Sequence, residues 1–327
     1  MRSVVPFFVS LHFITLTTIY NPYKIKTMKA LRLVPLFSLL LLFAACGSDN
    51  YDNGGSIASN NANSNLSETN PYTHRMEFPK VKNGTNIILV HTLSNGEINY
   101  SVEYDTQKKC TRWSCYELYA SNNKKNNSVR RYDTQRYGYP QDPLLDKQYQ
   151  WAEDPIYGSR YNDQPLDHGH LCPYADRYYN QQAADQTFYL TNMAPQNRDF
   201  NSGVWADMEA WVRRQVSTKG RDTLFVVKGV TVDNNNQYDI VNSKNIAMVV
   251  PKYFYMAVLM RNASGYKALG FWIENKSNQS TDLAQYVVNI DELERLTGLD
   301  FFCNLPDDTE NHIESLPLDN VKRAWGF

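Results

Sequence analysis

The chain has 327 residues, with 33 Lys and Arg against 34 Asp and Glu, a formal charge of −1. That balance excludes nucleic-acid binding through bulk positive charge. Hydrophobic residues make up 42%, enough to exclude wholesale disorder, and five Cys are too few for a disulfide scaffold.

Residues 1–45 carry five bases (Arg2, Lys24, Lys26, Lys29 and Arg32) and no acid. Met28 is read as the true start. A short basic stretch after it leads into an apolar run from Leu33 to Ala45, too short to span a bilayer comfortably. Phe43-Ala44-Ala45-Cys46-Gly47 follows. Small residues ahead of a Cys resemble a bacterial lipoprotein signal, which implies acylation of Cys46, export, and anchoring to a bacterial membrane on its periplasmic or outer face. Residues 46–71 are rich in Gly, Ser and Asn and read as a flexible tether. Residues 72–327 read as one domain. Without residues 1–45 the charge is 28 bases against 34 acids, or −6. Any polyanion must then be held by a local basic site. Four Cys remain, at 110, 115, 172 and 303. An even number in an exported chain predicts two disulfides.

Within the domain, apolar runs predict strands at residues 86–92, 111–119, 187–191, 223–230, 246–251, 253–260 and 270–275. A return strand is predicted at 128–132. Val204, Met208, Trp211 and Val212 share one face of a helix predicted over 202–216. A second helix is bounded by Asp291 as its cap and Gly298 as its stop. Runs of strands with few helices predict an α+β fold with a mainly antiparallel central sheet flanked by helices.

The chemistry concentrates in Leu166-Asp167-His168-Gly169-His170-Leu171-Cys172. His168, His170 and Cys172 alternate as zinc ligands on a strand could, but no second ligand cluster has zinc spacing. Downstream, Asn201, Trp205, Glu209 and Arg213 are each four apart, one drifting stripe on a helix. Asn201 is placed at that helix's N-terminal end, where amide N–H groups favour an anion. Between Lys124 and Arg136 lie five bases and one acid, the local basic site that the charge balance demands.

Three ordered motifs carry a resemblance. They are Asp167-His168-Gly169-His170, Thr191-Asn192-Met193-Ala194-Pro195-Gln196, and Asn201-x-x-x-Trp205-x-x-Met208-Glu209-x-x-x-Arg213. Together the segments resemble the DNA/RNA non-specific endonuclease family, the ββα-metal or His-Me finger nucleases. The departures are His168, where the family has Arg, and Met208, where it has Leu. The resemblance covers about residues 80–310. It implies hydrolysis of phosphodiester bonds in DNA and RNA, with His170 as general base. It implies Asn201 as the protein's ligand to Mg2+, with Mn2+ as a substitute, and Glu209 holding the ion's waters. It places Arg213 against the phosphate and expects a further Arg upstream, where Arg131 fits best and Arg136 competes.

A phosphodiester needs a base for water, a cation for the leaving oxygen and donors for the other oxygens, which matches these residue types. Two alternatives stand beside the enzyme: a surface lipoprotein that binds nucleic acid or another ligand without cleaving it, and a zinc hydrolase built on His168, His170 and Cys172.

Overall fold

The computed structural model describes residues 61–65, 70–82, 84–216, 222–233 and 235–327. The leader, Cys46 and most of the expected tether lie outside these residues. In chain order the elements are β1 (Asn86–Thr92), β2 (Ile98–Asp105), β3 (Cys110–Tyr119), α1 (Thr134–Tyr137), β4 (Arg160–Tyr161), β5 (Gln164–His170), α2 (Gln181–Gln186), β6 (Met193–Asn197), α3 (Arg198–Ser202) and α4 (Val204–Gln215). They continue with β7 (Thr223–Val230), β8 (Gln237–Val241), β9 (Ala247–Pro251), β10 (Tyr253–Asn262), β11 (Gly265–Glu274), β12 (Val287–Val288), α5 (Ile290–Thr297), α6 (Asp307–Glu314) and α7 (Leu318–Trp325).

Seven strands form one antiparallel sheet in the order β1-β2-β3-β7-β10-β11-β12. The α+β expectation with a mainly antiparallel sheet holds. Every residue of β7 is buried, because apolar layers cover both sheet faces. A strand covered on both sides reads as a continuous apolar run, as Thr223–Val230 does. On one face, Leu224 and Val226 pack with Met208 and Val212 of α4 and Val321 and Trp325 of α7. On the other, Phe225 and Val227 pack with Leu293 of α5, Phe301, Phe302 and Ile313 of α6. Burying each such side chain contributes about 1.5–3 kcal/mol.

Neighbouring strands β3 and β7 are separated in sequence by a long excursion, which contains a second, three-stranded sheet β4-β5-β6. The chain leaves the centre of the main sheet and returns to it beside its starting point. Whatever the excursion carries is therefore held over the face that α4 covers.

Several local expectations fail. Residues 128–132 form no strand; Arg130 instead binds Gln181 through its backbone. Residues 187–191 close α2 and enter a 3-10 turn, Leu190–Asn192. α5 is capped by Asn289, whose side chain accepts from Glu292 N–H, and Asp291 falls in the first turn. Gly298 does end it, in the left-handed conformation at φ 66°. β2 has no apolar run to predict it, because its Asn99, Ser101, Glu103 and Asp105 are polar residues that fold inward.

Part of the expected tether is docked on the domain. Asn61 Nδ2 donates to Cys303 O at 3.0 Å, and Asn63 Nδ2 donates to Glu310 Oε1 at 2.8 Å. Asn65 donates to Thr73 O and Pro79 O, both at 3.0 Å. Asn side chains satisfy backbone groups, so an Asn-rich stretch reads as linker composition yet serves here as a clip.

The disulfide expectation is corrected: Cys110, Cys115, Cys172 and Cys303 are all free thiols. Cys115 lies within the apolar layer on the α5 face, Cys172 lies in the opposite layer with Cys110 packed against it, and Cys303 is buried with its Sγ 3.9 Å from Phe78 O. Burial pushes the Cys172 thiol up to about 12. The backbone at Cys172 is held by the Asn192 side chain instead.

Candidate active site

β5 and β6 pair in the register Asp167↔Gln196, Gly169↔Ala194 and His170↔Met193. Gln196 is fully buried against Gly169. A methyl group on residue 169 would lie 2.7 Å from Gln196 Cβ, closer than real contacts allow. The glycine between the two histidines is thus what lets the strands close. Beyond His170 the backbone is clamped by fully buried Asn192. Its Oδ1 accepts from Cys172 N–H at 2.8 Å, and its Nδ2 donates to Cys172 O at 2.9 Å and to Thr187 O at 2.8 Å. The second motif therefore fixes the base-bearing strand through its backbone.

β6 runs directly into α3. The predicted single helix is two: Gly203 breaks it, with φ −106° and ψ −117°. A side chain at 203 would put Cβ 2.6 Å from Asp199 O. Asn201 thus sits in the last turn of α3, not at the N-terminus of α4, and the anion-site reading for it is corrected. Its Nδ2 faces Asp167 Oδ2 at 3.4 Å, and Arg198 Nε donates to Asp167 Oδ1 at 3.0 Å. Holding the NH2 side leaves Asn201 Oδ1 as the atom that could hold a cation.

A cleft of about 370 Å3 opens over this strand pair, lined among others by Arg131, Asp167, His168, His170, Asn201 and Glu209. The ring of His170 meets the edge of Phe188, centroids 5.0 Å apart at 88°. His170 Nε2 has no hydrogen-bond partner. Burial, then the charges of Arg131, Lys228 and His168, hold its pKa down at about 3, so the ring is neutral at ordinary pH. The Arg131 guanidinium lies 5.0 Å from the Phe188 ring centre and 5.1 Å from that of Tyr174. Arg136 caps no part of this cleft; it stacks over Tyr137 on exposed α1.

The other histidine is committed. His168 Nε2 is 2.8 Å from Asp154 Oδ2, and its ring stacks on Tyr139 at 3.7 Å and 11°. Burial alone would raise Asp154, but the hydrogen bond and charge of His168 outweigh it and lower the carboxyl. Cys172 is wholly buried, and among the described residues His168, His170 and Cys172 do not converge on a common point. The zinc alternative has no site here.

Glu209 reaches the cleft from α4, and Lys228 of β7 pairs with it from below. Lys228 is 1% exposed. Its Nζ also lies 3.4 Å from His170 O and 4.8 Å from the Trp205 ring centre. Burial raises the Glu209 carboxyl, and Lys228 opposes that shift. Sequence reading missed Lys228. Its only signal was a lone base inside the apolar run Thr223–Val230, the kind of local exception that marks a working site.

Arg213 is not where it was expected. Its Nη1 lies 2.7 Å from buried Asp176 Oδ1, and Tyr116 holds the other oxygen of Asp176 at 2.8 Å. It is 4.0 Å from Glu209 and does not line the cleft. Each four-residue step on a helix drifts by about 40°, and the break at Gly203 starts a new axis. The stripe therefore turns Arg213 away from Asn201.

Two strands leading into a helix, with His170 on the first and Asn201 on the helix facing one cleft, define a ββα-finger centre. A family profile described as DNA/RNA non-specific endonuclease matches residues 83–308, and the chain belongs to that family. It is 28% identical over 233 residues to a nuclease of Nostoc, covering 68% of this chain and 77% of the relative. It is 27% identical to the mitochondrial nuclease EXOG of Xenopus laevis, covering 67% of this chain. The matched part spans 61% of the length of that relative and of its Mus musculus counterpart. A solved chain from the EndoG/EndoGI complex is similar in fold, with TM-score 0.53 and 25% identity over 66% of this chain and 86% of that one.

Proposed function

We propose that the protein is a metal-dependent endonuclease that hydrolyses phosphodiester bonds of DNA and RNA. The observation that carries the reading is His170: a neutral imidazole whose Nε2 lacks a partner, opening on a cleft shared with a guanidinium, an amide oxygen and a carboxylate. Those donors fit a hard divalent cation such as Mg2+, with Asn201 Oδ1 as the protein ligand and Mn2+ as a substitute. One neutral oxygen suits an ion that keeps most of its waters. When bound, the ion neutralises charge on the leaving oxygen.

The chain's own residues do the rest. Arg131, braced on Phe188 and Tyr174, grips a non-bridging phosphate oxygen. His170 Nε2 accepts the proton of the attacking water. The phosphate charge offsets that of Arg131, so substrate binding raises the basicity of His170 when a base is needed. Glu209 accepts hydrogen bonds from water around the ion, and Lys228 holds its carboxyl in place from below. Arg213 acts at one remove, by fixing Asp176 and the flank of Glu209. These groups address phosphate and leave the sugar unread, which supports action on both DNA and RNA.

We further propose that acylated Cys46 anchors the exported protein to a bacterial membrane. Palmitate labelling that persists in Cys46→Ser would remove that anchor.

Nicking of supercoiled plasmid and cleavage of RNA by the purified protein, with Mg2+ and then with EDTA, test the enzyme. Cleavage that needs the metal is expected. Binding of both polymers without cleavage would mean the non-catalytic alternative.

A further inference from the structure

On the sheet face opposite the cleft, α5 and α6 bring three acids together. One carboxylate oxygen each of Asp291, Glu294 and Glu314 lies within 4.8 Å of the other two. Asp291 and Glu294 are three apart and share a side of α5. Glu314 is the last residue of α6. It is 5% exposed, and its Oε1 is buried without a hydrogen-bond partner.

A buried acid is ordinarily offset by a base, whereas Glu314 faces further acids. The four charges acting most strongly on it are Glu294, Glu310, Asp300 and Asp291, all carboxylates. Arg295, the base on α5, is exposed and turned to Glu292, with Nη2 to Oε1 at 2.6 Å. Glu314 also ends a helix, where the dipole favours a cation over an acid. A like-charged, partly desolvated cluster is costly unless a proton or a cation completes it.

We propose that Asp291, Glu294 and Glu314 form a structural site for a divalent cation, with Ca2+ as its natural occupant. All the donors are hard oxygens, with no imidazole or thiolate, which turns away zinc and other borderline metals. Ca2+ binds oxygens at about 2.3–2.6 Å and tolerates irregular geometry, so it bridges ligands spread this widely. Mg2+, at about 2.0–2.1 Å in a strict octahedron, does so poorly. Exposed Asp291 leaves one side open for water to fill the remaining positions.

The site would tie the start of α5 to the end of α6. Between them runs the 298–306 loop, which buries Phe301, Phe302 and Leu305 and receives Asn61 on its backbone. The ion would stabilise this corner of the domain and take no part in cleavage.

The test is Ca2+ titration by calorimetry and thermal melting of the full chain, stripped with EGTA. The parent carries Asn201→Ala to weaken ion binding in the cleft, and Glu314→Gln is added to it. The parent should bind Ca2+ and melt higher with it. The added substitution should remove one equivalent, or weaken it more than tenfold, and abolish the melting increment. In EGTA it should melt close to the parent, because Gln keeps the size and shape of Glu. Asp291→Asn should lower affinity in the same direction and guards against a folding defect in the first variant. In the otherwise unaltered protein, Glu314→Gln should leave Mg2+-dependent cleavage unchanged. An equal Ca2+ stoichiometry and melting increment with and without Glu314→Gln would overturn the site. The comparison rests on Glu314 alone and holds whatever Asn201 does.

Discussion

The two faces of the central sheet each carry a polar cluster, and they balance charge in different ways. In the cleft, each lining carboxylate has a base: Glu209 has Lys228 and Asp167 has Arg198. Nearby, Asp154 has His168 and Asp176 has Arg213. Behind the sheet, the four charges acting most strongly on Glu314 are all acids. The unpartnered atom differs accordingly. It is a basic nitrogen, His170 Nε2, on one side and an acidic oxygen, Glu314 Oε1, on the other. A balanced cluster with a spare nitrogen can take a proton once substrate offsets the charge of Arg131; an unbalanced one with a spare acid is ready to take a cation.

The largest effect should come from the spare base. His170→Ala should cut turnover by about 10²–10⁴-fold while affinity for an uncleaved oligonucleotide changes little. His168→Ala should cost far less, since its nitrogen is already spent on Asp154. Steady-state kinetics on both variants would break the comparison if His168 proved the more damaging loss.

Next comes the buried base. Lys228→Met leaves Glu209 half-buried with only Arg213, 4.0 Å away, as a partner, and loss of a buried partner destabilises by up to about 3–5 kcal/mol. Urea unfolding with a midpoint equal to the parent's would show that Glu209 is not charged in the folded protein.

Asn201→Ala should raise the Mg2+ concentration for half-maximal cleavage, and Glu209→Gln should lower metal affinity or activity by about 10–100-fold. Metal titrations of activity that superimpose on the parent's would dissociate both residues from the ion.

The pH response follows the sign of the His170 shift. The folded pKa, about 3, is below the unfolded value of about 6.5. Between these the unfolded chain binds a proton that the native ring refuses, so this residue's contribution to stability is full above 6.5 and is lost as pH falls toward 3. His170→Ala should flatten that part of the stability curve. In kcat/KM, the acid limb of the free enzyme should lie well below pH 6, and Arg131→Ala should move it upward. A limb at 6.5 that Arg131→Ala does not shift would mean that neither burial nor Arg131 acts on the ring.

The smallest effect is electrostatic. Arg131→Ala should weaken binding of all sequences alike and reduce the slope of log affinity against log salt by about 1. An unaltered slope would remove Arg131 from the phosphate.

Much was legible from the residues alone. Asn86–Thr92 and Thr223–Val230 have the bounds that their apolar runs predict, and in β7 the reason is that a strand covered on both faces must be apolar along its length. The three motifs assembled as their order implied, and Arg131, His170, Asn201 and Glu209 meet in one cleft. Local sequence carries such information when a residue's role depends on neighbours within a few positions.

The rest depended on partners far along the chain. Asp154 claims His168 from 14 residues away, Lys228 reaches Glu209 from the next strand of the main sheet, and Asp176 captures Arg213 across 37 residues. Cysteines that counting would pair are free thiols in the fold, and an Asn-rich stretch that composition would free is pinned to residues 303–310. Charge pairing, burial and thiol proximity act through space. Periodicity can place a side chain on a face, but only the packed topology decides what stands opposite it.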